Sequence, residues 1–322
     1  MNRSRRTAGS RAFPQASRGM TLVELVVAMA IGVFLTWGAF QVYLQSKDNF
    51  RAAEVSTRLQ ENARFALETL EPDLRLAGFW GRHRESALLA PPAGIGVSCD
   101  GTDITAWALD LGTAVQANDD GYDLDCAPFG TARAGSDVLV VRHASDLLRA
   151  PQAGQVQVQS SLALAQLFAD GVIPAGFAGD SETRDLVVHA YYIDDTSSFT
   201  GGLPSLRRQT LVAGGVVEDQ EMVSGVENLQ VQFGLDSNGD GTVERYVDPD
   251  NPAAAGGGIV AVRLWLLLRS EESPGVGFAD PRQYQPPDAD APAIEPGDDG
   301  YPAGFQRLEV SKTIVLRNQV TG

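Results

Sequence analysis

Leu25 to Leu44 form a run of twenty uncharged residues in which the only polar side chains are Thr36, Trp37, Gln41 and Tyr43. As a helix it rises about 30 Å, the thickness of a bilayer core. The residues before it carry Arg3, Arg5, Arg6, Arg11 and Arg18 and no acid, as expected of a cytoplasmic flank. The chain is therefore built to cross a membrane once, near its start.

A secretory signal would be cut after its apolar run. Ala28-Met29-Ala30 has the small-x-small form, but it leaves too short a run, with Glu24 inside it. Thr36-Trp37-Gly38 has a bulky centre. Cleavage on the cytoplasmic side, after Gly19, fits better. Glu24 itself needs a reason, because a carboxylate in the bilayer costs at least ~2.5 kcal/mol and such groups face polar partners.

Gly19-Met20-Thr21-Leu22-Val23-Glu24 resembles the prepilin processing motif. The resemblance implies that a prepilin peptidase cuts between Gly19 and Met20 and that the new Met20 amine is methylated. It also implies that Glu24 makes an assembly contact with the N-terminal amine of a neighbouring subunit. Met20 stands where the family usually has Phe, and it preserves the apolar character.

Beyond Leu44 the pattern turns amphipathic. Val55, Leu59, Ala63, Ala66 and Leu70 recur at steps of three and four, while Arg51, Glu54, Arg58, Glu61, Arg64 and Glu68 alternate in sign on another face. One rod from about Thr21 to Glu71, roughly 75 Å long, is expected, with Pro72 kinking or ending it and Gly78 as a stop. The stripe beyond Asn49 should pack on the chain's own domain, leaving the membrane half for neighbours.

The leader holds five of the 25 basic residues and none of the 41 acids, so the remainder has 20 against 41, a formal −21. Repulsion makes nucleic acid an unsuitable partner. Cys99 and Cys126, the only cysteines, lie on the oxidising side of the membrane and are expected to form a disulfide. Closing a loop of about 27 residues contributes about 3.5 kcal/mol in the chain-entropy view.

Runs bounded by turn residues predict strands at Asp137–His143, Asp185–Ile193, Ser205–Val212, Val226–Leu235, Ile259–Arg269 and Arg307–Leu316. Their alternation suggests an antiparallel sheet with one buried face, covered by the long helix. Ser160–Phe168 reads as a short helix. Ala279–Gly304, with six prolines and six acids against one Arg, reads as a long solvated loop.

The fold class is thus α+β: a long transmembrane and amphipathic helix packed on an antiparallel sheet, with elaborated loops. Expected divisions are a leader (1–19), a transmembrane half-helix (20–44), an amphipathic half-helix (45–78) and a periplasmic β-rich domain (79–322). The segment Asp73 to Gly81, the Gly225 to Leu229 strand start, the Asp236 turn, Val262-Arg263-Leu264 and Leu316-Arg317-Asn318 together look like PilW-type minor pilins. That resemblance spans essentially the whole chain and implies a type IV pilin-like fold. It also implies a part in priming or capping a type IV pilus in the inner membrane, with other pilins as partners. Alternatives are a pseudopilin of type II secretion, which gene neighbourhood would distinguish, and a singly anchored periplasmic binding module or adhesin, which would purify without other pilins.

Asp236-Ser237-Asn238-Gly239-Asp240-Gly241-Thr242-Val243-Glu244 matches the first half of a calcium loop, with oxygens at alternate positions and Gly sixth. Asp236, Asn238 and Asp240 would offer side chains, Thr242 its carbonyl and Glu244 a direct or water-mediated contact. The twelfth position is Val247 in place of Glu, with Asp248 one place late. The competing reading is an Asn/Gly-rich hairpin turn.

No catalytic constellation emerges. His83, His143 and His189 are far apart in sequence, without zinc-ligand spacing, and no phosphate-binding or nucleophile motif is present. Acid pairs such as Asp119/Asp120 and Asp298/Asp299 sit in loop-like sequence, where solvation explains them. The expectation is a non-enzymatic protein that requires no cofactor, with Ca2+ as its candidate ligand.

Overall fold

The computed structural model describes residues 19–84, 89, 94–177, 179–288 and 291–319; the leader arginines lie outside the described residues. Two compact units divide the chain, Met1–Phe50 and Arg51–Gly322. Helix α1 covers Leu22–Leu76. In the first unit, residues 19–50 are exposed throughout, and this part of α1 holds the one stretch of the described residues long and apolar enough to cross a membrane.

In the second unit α1 buries Val55, Leu59, Ala63, Ala66, Leu70 and Leu74, the predicted stripe continued by one turn. Ion pairs Glu54–Arg58 (2.9 Å), Arg64–Glu68 (2.7 Å) and Glu71–Arg75 (2.5 Å) line its outer side. Such exposed pairs contribute a few tenths of a kcal/mol each. Pro72 does not end the helix, which runs on to Leu76. A mid-helix Pro costs ~3 kcal/mol, and burial of Leu70 and Leu74 around it offsets that cost. Gly78, at φ +73°, terminates the helix, and a Cβ there would run into Gln319.

The strands are β1 (Ser98–Cys99), β2 (Thr102–Asp103), β3 (Val115–Asn118), β4 (Val138–Ala144), β5 (Ala153–Ser160), β6 (Ala165–Asp170) and β7 (Glu182–Asp194). They continue with β8 (Ser205–Val212), β9 (Val216–Ser224), β10 (Val226–Leu235), β11 (Arg245–Val247), β12 (Ile259–Arg269) and β13 (Arg307–Val315). A short helix, α2 (Thr105–Ala108), follows β2. The expected single sheet is two. One has nine strands in the order β2-β1-β9-β8-β7-β4-β3, with β5 on β7 and β6 on β5; the other is β11-β10-β12-β13. Pairing is antiparallel except between β1 and β9.

Both sheets share a core with α1. Leu139, Val141, Tyr191 and Leu206 of the larger sheet meet Leu229, Val231, Val262, Leu264 and Ile314 of the smaller one around the helix stripe. The one-faced alternation holds for β13 but not for β4 and β10, which are buried along their whole length. A second core surrounds Cys99 and Cys126 with Trp80, Ile104, Val156 and Leu167. The proline-rich segment is not wholly solvated. Tyr284 and Ile294 pair with each other and bury against Trp265 and Leu267 of β12.

Ser160–Phe168 is a hairpin rather than a helix. Ser161 N–H donates to Leu164 O at 2.8 Å to close a tight turn, and Gln157–Ser160 also pair with Glu182–Asp185 of β7. Main-chain partners on both sides of β5 outweigh the helix propensity of the Leu/Ala run.

The join between the sheets explains the Gly225 to Leu229 signature. Gly225, at φ +84°, lies so close to Arg269 that a Cβ would stand 2.6 Å from its carbonyl oxygen, and a register shift follows at Val226/Asn228. The shift accompanies a turned-in Glu227, fully buried, whose carboxylate binds Arg307 Nε at 2.5 Å and Arg307 Nη2 at 3.1 Å. Arg269 Nη1 lies 3.5 Å from the same carboxylate. Ser136 Oγ accepts the Leu229 N–H at 3.1 Å and Asp137 Oδ2 the Val231 N–H at 2.7 Å. Two side chains thereby stand in for a missing strand along β10.

Candidate functional site

At the start of α1, Thr21 and Glu24 form a reciprocal pair. Thr21 N–H and Oγ1 both donate to Glu24 Oε2 at 2.9 Å, and the Glu24 N–H donates to Thr21 Oγ1 at 3.2 Å. This is a capping box, with Thr as N-cap and Glu three residues on. Glu24 thus has a local role beside the expected intermolecular one, and the Thr-x-x-Glu spacing is its signal in the sequence. Gly19 and Met20 precede the helix and are exposed. The apolar surface that follows, including Leu22, Val33, Phe34 and Trp37, is bare.

Cys99 and Cys126 are bonded, with Cα atoms 5.6 Å apart, within the ordinary disulfide range. Arg142, buried beside this region, donates to the carbonyls of Trp107 and Thr113 at 2.6–2.9 Å and to Gln116 Oε1 at 2.9 Å. It holds the stretch inside the disulfide loop against β4. Burial pushes its guanidinium down to about 10.

The 236–244 segment is the turn between β10 and β11, and its oxygens converge as well. Asp236 accepts the N–H groups of Asn238 (3.1 Å), Gly239 (2.6 Å) and Gly241 (2.7 Å). Asp240 accepts from Thr242 N–H (2.8 Å) and Oγ1 (2.6 Å), and Glu244 from Ser237 N–H (2.6 Å). Oxygens of Asp236, Asp240 and Glu244 lie within 4.8 Å of one another. The Gly241 amide foremost holds the Asp236 carboxyl below its usual range, and the Thr242 hydroxyl does the same for Asp240. Charged oxygens so gathered suit a hard cation. Asn238 donates its amide to Asp240 at 3.1 Å. Val247 pairs with Phe233 and is buried, so the twelfth position belongs to the core. Asp248 accepts from Gln232 Nε2 at 2.9 Å instead of turning to the loop.

Two readings of isolated residues are corrected. Asp119 is not simply solvated: burial first, then Asp288, Asp250, Asp120 and Asp248, push it up to about 7. His143 and His189, 46 positions apart in sequence, are brought together on adjacent β4 and β7, where Val141 opposes His189 and His143 opposes Val187. Both meet Asp73 of α1. No local spacing could have signalled that group.

A capped, exposed apolar helix and an acidic β-rich domain are the parts of a prepilin-like protein. In agreement, residues 14–40 match the prokaryotic N-terminal methylation motif. Residues 190–318, from within β7 to just beyond β13, match the family described as type IV pilus-assembly protein W. Together the two matches support a PilW-type, prepilin-like pilin. Neither a curated relative nor a solved structure matches the chain.

Proposed function

We propose that the chain is a minor pilin that a prepilin peptidase cuts after Gly19, that is methylated on Met20, and that joins other pilins in priming or capping a type IV pilus. The carrying observation is the exposed Gly19–Met20 peptide directly before a helix whose residues through Phe50 bury nothing within the chain. Such a surface needs lipid or neighbouring helices. On this reading residues 20–44 cross the inner membrane once, and residues 45–78 pack on the β-domain in the manner of a pilin. The domain from residue 79 stands in the periplasm until assembly carries it to the cell surface. The match to a pilus-assembly family, a structural component rather than an enzyme family, favours the pilus over a secretion system or a simple tether.

N-terminal mass spectrometry of membrane-extracted protein tests this. A start at methylated Met20 is expected. A start at Ile31, the product of signal-peptide cleavage after Ala30, overturns it.

The Asp236 turn is proposed to take Ca2+ through Asp236, Asn238, Asp240, Thr242 and Glu244, with affinity in the weak extracellular range of about 10⁻⁴–10⁻³ M. Millimolar Ca2+ at about ten times such a Kd should stabilise the domain by ~1.4 kcal/mol and raise Tm by a few degrees. An unchanged Tm would leave the segment as a turn alone.

A further inference from the structure

Where the end of α1 meets β4 and β7, Asp73, His143, His189 and Tyr191 form a cluster that the assembly role does not use. Asp73 Oδ2 accepts the Tyr191 hydroxyl at 2.5 Å and is in contact with His189 Nδ1. His143 Nδ1 lies 2.8 Å from the Ala144 carbonyl oxygen, and its Nε2 lies 3.5 Å from Asp73 Oδ1. The His143 side chain is only 3% exposed, and Nε2 has no other partner among the described residues. Both ring nitrogens therefore face oxygens, one of a carbonyl that can only accept and one of a carboxylate.

The proton between Nε2 and Oδ1 belongs on the imidazole. Oδ2 of the same carboxylate already receives two donors, which favours the ionised acid. Although burial acts against ionisation, the contacts with His143 and His189 hold the Asp73 carboxyl well below the usual carboxylate range. His189 stays neutral and donates its Nδ1–H. Burial foremost holds it below the ordinary histidine range; Asp73 pulls the other way, while Arg208 and His143 add to the effect of burial. Arg208, on β8 opposite Tyr191 in register, is the further cation acting on the cluster.

We propose that Asp73 holds His143 as an imidazolium at neutral pH, and that this buried proton fastens the end of α1 to β4 and releases it as the pH rises. The main chain on either side of His143 is already joined to the residues that end the helix. Gly78 N–H donates to Arg142 O at 3.1 Å, and Ala144 N–H donates to Phe79 O at 2.6 Å. Without the proton a nitrogen lone pair would face a buried carboxylate, and their repulsion would work against both bonds.

The direction of the pH effect follows from counting protons. Above about pH 6.5 an unfolded histidine is mostly neutral. The fold then keeps a proton on His143 that the unfolded chain has released, so stability falls as pH rises. Below that pH His189 acts in the opposite sense, because the unfolded chain binds a proton that the fold excludes. Asp119 and Asp137, pushed up by burial foremost to about 7 and about 8, also lose stability over part of the alkaline range. The cluster is therefore read from the difference between wild type and variant.

The test uses the detergent-solubilised full chain with 15N in its three histidines. At about pH 7, where a free histidine is mostly neutral, nuclear magnetic resonance should show both His143 ring nitrogens protonated and one of His189. Asp73→Asn should return His143 to the neutral form. Above about pH 6.5 the folding constant of the wild type relative to His143→Gln should fall about tenfold per pH unit until the proton is lost, the slope of one bound proton. Circular dichroism checks that the variants fold. Removing His83 and His189 in turn assigns the His143 signal even if His143→Gln does not fold. A mainly neutral His143 in the folded wild type at about pH 7, or parallel pH profiles for wild type and His143→Gln, overturns the proposal. The outcome is independent of where the N-terminus is cut.

Discussion

Glu24→Ala is expected to remain in the membrane fraction yet be depleted from sheared pili by more than about a hundredfold. Removing one partner of a desolvated ion pair costs about 3–5 kcal/mol, and each 1.4 kcal/mol is tenfold. The reciprocal bonds between Thr21 and Glu24 complicate that experiment, because alanine also removes a cap contributing ~1 kcal/mol. Glu24→Gln separates the two effects. Glutamine can complete a capping box with Thr21 but cannot pair with an ammonium group. If the charge makes the assembly contact, both variants fail to enter the filament. Normal incorporation of Glu24→Gln would sink the contact and reduce Glu24 to a helix cap.

The second large effect lies at the join of the sheets. Glu227→Ala should destabilise the folded chain by about 3–5 kcal/mol, since Arg307 and Arg269 would be left as two buried cations facing each other. Urea unfolding followed by circular dichroism measures it. Arg307→Met is expected to cost less, because Arg269 still neutralises Glu227. A loss below about 1 kcal/mol for Glu227→Ala would mean that the two guanidinium groups find solvent or other acceptors, and that the buried carboxylate is dispensable.

The parts of this fold that were legible in the sequence carry strong local periodicity or an unambiguous partner. Ser205–Val212, Val226–Leu235 and Ile259–Arg269 are bounded by turn residues clearly enough to be read with their observed limits. With only two cysteines in the sequence, Cys99 and Cys126 leave a single intramolecular pairing, and they are bonded. By contrast β5, rich in Gln, and β9, rich in acids, are strands because neighbours pair with them: β7 with β5, and β8 with β9. Their side chains alone do not demand that state. The Asp73 group is assembled from α1, β4 and β7 across more than a hundred residues, a distance no motif spans. Glu227 showed the converse: its family-like context was visible, but the register shift that buries it against Arg307 was not.

The substitution of Ser136 and Asp137 for a strand along β10 also bears on how this chain avoids pairing with others. Unpaired N–H groups on a sheet margin invite a second molecule to dock strand against strand. In β10 the Leu229 and Val231 amides are occupied by side chains, and Asn228 and Gln230 both reach across to the Gly135 carbonyl, at 2.7 and 3.1 Å. That margin is sealed without another strand. With β10 buried along its whole length, its amides are satisfied within the chain and offer nothing for a second strand to pair with.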